Sequence, residues 1–160
     1  MPYTTAIVCL NGHILTRDTQ RNRTHQTMSH CPQCCLDLIS TCLNCNSPIR
    51  GNEVNERGQT ILRNNPADAF CYNCGAPYPW TESALENAEN IINELDSLSD
   101  EDKEKLSKSF KDLMQPTPKT PYAILLAKKA LASCKGFMLE TLVNLLVSSA
   151  CVAVKNELGI

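Results

Sequence analysis

The sequence predicts a small, metal-stapled β domain over residues 1–80, followed by an α-helical domain over residues 81–160 with about four helices. Three observations lead there. Eight of the ten cysteines fall in the first 74 residues, six of them as Cys-x-x-Cys pairs. Basic residue usage switches midway: residues 1–80 carry six arginines and no lysine, whereas residues 81–160 carry nine lysines and no arginine. Hydrophobic patterning switches at the same place, from short β-branched runs to helical periodicity.

The β elements are short. Residues 4–8 and 14–16 are β-branched runs separated by turn-forming residues, and residues 36–41 supply a further strand between two cysteine pairs. The opening residues, Met-Pro-Tyr-Thr-Thr-Ala-Ile-Val, hold neither a basic region nor a long apolar stretch. A signal peptide is therefore not expected, and a cytoplasmic setting is. In a reducing cytosol, paired cysteines serve as metal ligands rather than disulfides.

The second half reads as helix throughout. Leu85, Ala88, Ile91, Ile92 and Leu95 recur at helical spacing from about residue 82. Ser99 is a good N-cap, followed by Asp100, Glu101 and Asp102 where the helix dipole favours acids. That helix runs on through Leu106, Phe110, Leu113 and Met114 until Pro116, Pro118 and Pro121 end it. Pro121 can open the next helix, which stops at Gly136, and a last one spans about 137–158. Residues 137–154 approach the length of a membrane span. A polar stripe of Glu140, Asn144, Ser148 and Lys155 argues instead for burial in a bundle or oligomer, so no membrane is expected.

Zinc takes four ligands in a tetrahedron, commonly Cys and His, and two residues between paired cysteines let one turn present both sulfurs. Cys31/Cys34, Cys42/Cys45 and Cys71/Cys74 are three such half-sites. Cys9-Leu-Asn-Gly-His13 makes a fourth, its Asn-Gly supplying the reversal and His13 a nitrogen. Seven cysteines and one histidine give the eight ligands that two Zn2+ ions per chain need. His25 and His30 are alternatives to His13. Sequential pairing would join Cys9, His13, Cys31 and Cys34 on one zinc and Cys42, Cys45, Cys71 and Cys74 on the other, as tandem zinc ribbons. Nested and cross-braced pairings are the alternatives, the last being the arrangement of RING fingers. Cys35 reads as a bystander at a position suited to glycine, and Cys134 and Cys151 read as helix-packing residues.

The strings Cys-Leu-Asn-Gly-His, Cys-Pro-Gln-Cys, Cys-Leu-Asn-Cys-Asn-Ser-Pro-Ile-Arg-Gly and Phe-Cys-Tyr-Asn-Cys-Gly-Ala-Pro-Tyr-Pro-Trp-Thr-Glu resemble a bacterial family of uncharacterised zinc-ribbon proteins. That family is known only as a domain of unknown function. The resemblance is closest over residues 7–82. It implies the same eight ligands, His13 included, and a bacterial or phage setting, but no activity.

Function is bounded by chemistry and charge. Eight protein ligands for two zincs leave no open position for water, and no phosphate-cradling glycine loop or Ser–His–acid set occurs, so neither an enzyme nor a small-molecule substrate is expected. Nucleic-acid binding is disfavoured. Six arginines against five acids give +1 in residues 1–80; seven thiolates and two Zn2+ add −3, leaving about −2. Only Arg17, Arg21 and Arg23, in the loop at 17–30, offer a basic patch. The expectation is a protein-interaction or adaptor module. The loops at 17–30 and 46–70 are displayed, and Pro77, Tyr78, Pro79 and Trp80 pack the second ribbon against the helices. Residues 121–160 carry self-association or partner docking, since 137–154 are apolar nearly all round.

Overall fold

A computed structural model of the chain describes residues 2–21, 28–149 and 152–159. Ala6 divides the β-branched run of residues 4–8 in two. β1 (Tyr3–Thr5) and β2 (Ile7–Cys9) lie on either side of it and join different sheets. The buried Ala6 donates its amide to the Ile49 carbonyl at 2.9 Å, so the crossing leaves that group paired. β2 is flanked antiparallel by β3 (Ile14–Thr16) and β4 (Leu38–Ile39), with Val8 opposite Ile39 and Cys9 opposite Leu38.

β1 pairs instead with β5 (Arg50–Val54), which pairs with β6 (Thr60–Ile61). Within the stretch 46–70, residues 50–61 therefore form a hairpin, whose tip at 56–59 is exposed. Its turn is tied by the Asn55 side chain, whose Oδ1 accepts from the amides of Arg57 and Gln59 at 3.0 and 2.8 Å. Arg-Gly-Asn-Glu-Val has no apolar alternation to announce a strand; the pairing comes from β1, helped by Thr4 Oγ1 accepting from the Asn52 amide at 2.8 Å.

The chain divides into two compact units, Met1–Ser83 and Ala84–Ile160. The core of the first is small: Ala6, Val8, Ile49 and Tyr78 gather around Cys42 and Cys71. Trp80 stacks on Tyr78 with ring centroids 4.6 Å apart and donates Nε1–H to the Asp68 carbonyl at 3.1 Å. Gly12 lies against it, since a Cβ there would stand 3.1 Å from Trp80 Cγ. Those partners, Tyr78, Asp68 and Gly12, all belong to the first unit.

Helix α1 (Pro79–Asn93) begins at a proline, whose missing N–H costs nothing at that position. α2 (Asp100–Ser109) is capped as expected, Ser99 Oγ accepting from the Asp102 amide at 3.2 Å. The expected helix through Met114 is broken at Phe110, where α3 (Lys111–Met114) starts. α4 (Thr120–Ser133) packs against α2, α3, α5 (Gly136–Ser149) and α6 (Val152–Leu158), so it forms the centre of this unit. The described residues thus hold six helices where four were expected; α5 and α6 stand on either side of residues 150 and 151.

Leu106, Phe110, Leu113, Leu142, Leu146 and Val154 are essentially inaccessible in the second core. The apolar side chains of Leu142 and Leu146 are therefore covered by the chain's own helices and are not docking surface. Among the described residues no helix is long and apolar enough to cross a membrane.

Candidate metal centres

Three half-sites share one backbone design. In each, the residue after the second cysteine returns its amide to the carbonyl of the first: Cys35 to Cys31, Asn46 to Cys42 and Gly75 to Cys71, at 2.8, 2.8 and 2.9 Å. That return requires a left-handed residue, and φ is +59°, +58° and +72° respectively. The amide of each first cysteine then bonds the carbonyl of Leu36, Ser47 or Ala76 at 2.8 Å, closing the knuckle. The fourth half-site reaches the same end by another route. Gly12, at φ +84°, donates to the Cys9 carbonyl, the Cys9 amide donates to the His13 carbonyl, and the His13 amide donates to Cys9 Sγ at 3.3 Å.

The four half-sites come together in sequential pairs. Cys9, His13, Cys31 and Cys34 form one group and Cys42, Cys45, Cys71 and Cys74 the other, with all ligand atoms of a group within 4.8 Å of one another. Neither the nested nor the cross-braced arrangement is formed. In the first group Cys9 Sγ lies 3.7 Å from Cys34 Sγ, and His13 Nδ1 lies 3.7 Å from Cys31 Sγ. In the second, Cys42 and Cys74 sulfurs are 3.8 Å apart and those of Cys45 and Cys71 are 3.6 Å apart. A tetrahedron with metal–sulfur bonds of about 2.3 Å has edges of about 3.8 Å, whereas a disulfide needs about 2.05 Å. Thiols at these separations fit around an ion and do not fit a disulfide.

Hydrogen bonds to sulfur set the electrostatics. Burial pushes the Cys31 thiol up, but the amides of Gln33 and Cys34, with His13, outweigh it and bring it down to about 6. The Ser47 hydroxyl and amide, with Asn73, hold Cys45 at about 6, while burial pushes Cys42 up to about 11. Metal uptake at neutral pH would thus meet some sulfurs as thiolates and displace protons from others. Burial, and then the charge of Cys71, push the Tyr78 phenol well above its ordinary range.

The second group has reciprocal support that the sequence reading missed. Asn44 Nδ2 donates to Cys74 Sγ at 3.5 Å, and Asn73 Nδ2 donates to Cys45 Sγ at 3.7 Å, each reaching from its own knuckle to the other. The repeated Cys-x-Asn-Cys in residues 42–45 and 71–74 was the available signal. Outer partners of this kind orient ligands and tune metal affinity.

Other residues singled out from the sequence lie elsewhere. Cys35 is exposed and stands in neither group. His30 pairs with Asp37 at 3.3 Å on the surface, and His25 lies outside the described residues. Cys134 is buried in the helical core beside Ser97, whereas Cys151 lies outside the described residues. Arg17 Nη2 donates to the Asn65 carbonyl and Arg21 faces Asp18 at 3.9 Å; Arg23 lies outside the described residues.

A family model described as "Uncharacterized protein conserved in bacteria (DUF2321)" matches residues 2–158. No curated protein and no solved structure matches the chain.

Proposed function

The chain belongs to that family, and we propose that it is a non-enzymatic protein-interaction module whose first unit is a tandem zinc ribbon. Cys9, His13, Cys31 and Cys34 would hold one Zn2+, and Cys42, Cys45, Cys71 and Cys74 the other. The observation that carries this is the gathering of four donors within 4.8 Å in each group, with two donor pairs of each at 3.6–3.8 Å, about the edge length of a closed tetrahedral site. Three thiolates with an imidazole, and four thiolates, are donor sets that zinc favours in structural sites. With every corner taken by protein, the ion supplies folding free energy rather than an activated water.

Docking falls to the helical unit, within residues 121–160. Tyr122 and Leu125 lie one turn apart on α4 with 51% and 62% of their surfaces exposed. Beside them runs a groove of about 500 Å³ lined by Pro116, Pro121, Ile124 and Val154. Large apolar side chains left exposed beside a groove of a bundle that has buried most of its described leucines at least in part mark a contact surface for a protein, a second copy of the chain included.

Elemental analysis should give two zincs per chain, and X-ray absorption should show sulfur and nitrogen neighbours only. One zinc, or a water ligand, would overturn the closed-site reading. Light scattering should show a dimer or larger species that Leu125→Glu shifts to monomer with zinc unchanged. A wild-type monomer that recovers no partner from cells would overturn the docking role.

A further inference from the structure

Asp68 pairs with two arginines of the first unit, and one of them, Arg50, keeps both Nη groups without a hydrogen-bond partner among the described residues. Asp68 takes Arg63 Nη2 on Oδ1 at 2.8 Å and Arg50 Nε on Oδ2 at 3.2 Å. Arg63 Nη1 is used by the Gly51 carbonyl, and Arg17 Nη2 by that of Asn65. Neither Nη of Arg50 has a hydrogen-bond partner among the described residues, and its side chain keeps 31% of its surface exposed. The guanidinium is nevertheless fixed. Its Cζ stands over the Tyr3 ring at 5.1 Å and over the Tyr72 ring at 5.2 Å, both within cation–π reach.

These groups line a groove of about 320 Å³ completed by Pro2, Pro48 and Ile49, along β1 at the edge of its sheet. A held guanidinium with free Nη donors is a bidentate carboxylate receptor that loses little freedom on binding. The rings and prolines on either side suit aliphatic or proline neighbours of that carboxylate. We propose that this groove docks an extended protein segment that presents an acidic side chain to Arg50, flanked by apolar residues on Tyr3 and Tyr72. The proposal deepens the protein-interaction reading and rests on it. Protein is favoured over nucleic acid because the zinc-loaded unit is negative overall, about −2, which repels a run of phosphates but tolerates one carboxylate.

The test pans a random dodecapeptide phage library against the full-length, zinc-loaded protein. Arg50→Gln serves for counter-selection, and selected peptides are then labelled for fluorescence polarisation. Enriched peptides should share an Asp or Glu between apolar residues. Changing that acid to its amide, or Arg50→Gln, should each weaken binding at least tenfold, and the two changes together should cost little more than either. Tyr72→Ala, at an exposed position outside the Asp68 pair, should also weaken binding while zinc stays at two per chain. The groove assignment is overturned if no peptide distinguishes wild type from Arg50→Gln, or if the enriched peptides lack an acid. It is equally overturned if a labelled 20-mer oligothymidylate binds through Arg50 in their place. Zinc content and oligomeric mass, measured on the same samples, separate failure of the groove from failure of the module reading.

Discussion

Cys35 holds a backbone conformation that its side chain resists. At φ +59° it returns its amide to Cys31, a task done by Asn46 and Gly75 in the two matching knuckles. A residue with a Cβ in this region costs about 1–2 kcal/mol relative to one without. Its thiol contributes to neither ligand group. Cys35→Gly should therefore raise the stability of the first unit by about 1 kcal/mol, read as a higher denaturation midpoint, with zinc content unchanged. Loss of one zinc would mean that Cys35, not Cys34, completes the first site. The same residue scale separates what spacing reveals from what it hides. Cysteine spacing marked the half-sites, and the repeated Cys-x-Asn-Cys marks Asn44 and Asn73, but which sulfur each amide reaches, about thirty residues away in sequence, depends on how the knuckles pair.

At the scale of elements, β5 is decided by its neighbours. Its residue Gly51 passes so close to the chain after β3 that a Cβ would stand 1.8 Å from the Arg17 carbonyl oxygen and 2.6 Å from Thr4 Oγ1. Backbone cannot yield as a side chain can. Gly51→Ala should cost about 3 kcal/mol or more, by forcing β5 away from the 17–18 turn. The expected readout is a lowered denaturation midpoint for the first unit, with helical circular dichroism retained; an unchanged midpoint would refute the close approach. The helices were more legible because each carries its own signal. Ser99 and the three acids after it start α2 as the sequence indicates. The break at Phe110 was not legible, since Leu106, Phe110 and Leu113 keep helical spacing straight through it and all three reach the same core.

For the whole molecule, each unit has its own source of stability. The first buries few large side chains besides Ile49 and Tyr78, and cysteines of its candidate ligand groups stand inside that core, so a bound metal would supply what apolar burial does not. The second closes on Phe110 and a set of leucines. A strong chelator should therefore abolish the near-ultraviolet signal of Tyr78 and Trp80 while helical circular dichroism persists, and added zinc should restore it. Conversely, Leu142→Ala should cost the helical unit about 2–5 kcal/mol and leave zinc content untouched. Concerted loss of both signals on chelation would refute the division of labour. The sequence by itself determined the four cysteine-bearing half-sites, the change from β to helix and the cap that starts α2. These depend on residues a few positions apart, whose geometry is fixed by turns and helical pitch. Tertiary structure alone decided how the half-sites pair, where β5 and β6 lie, which leucines are covered and which arginine stands between Tyr3 and Tyr72. Those outcomes depend on contacts between residues far apart in the chain, where only the folded path sets the distance.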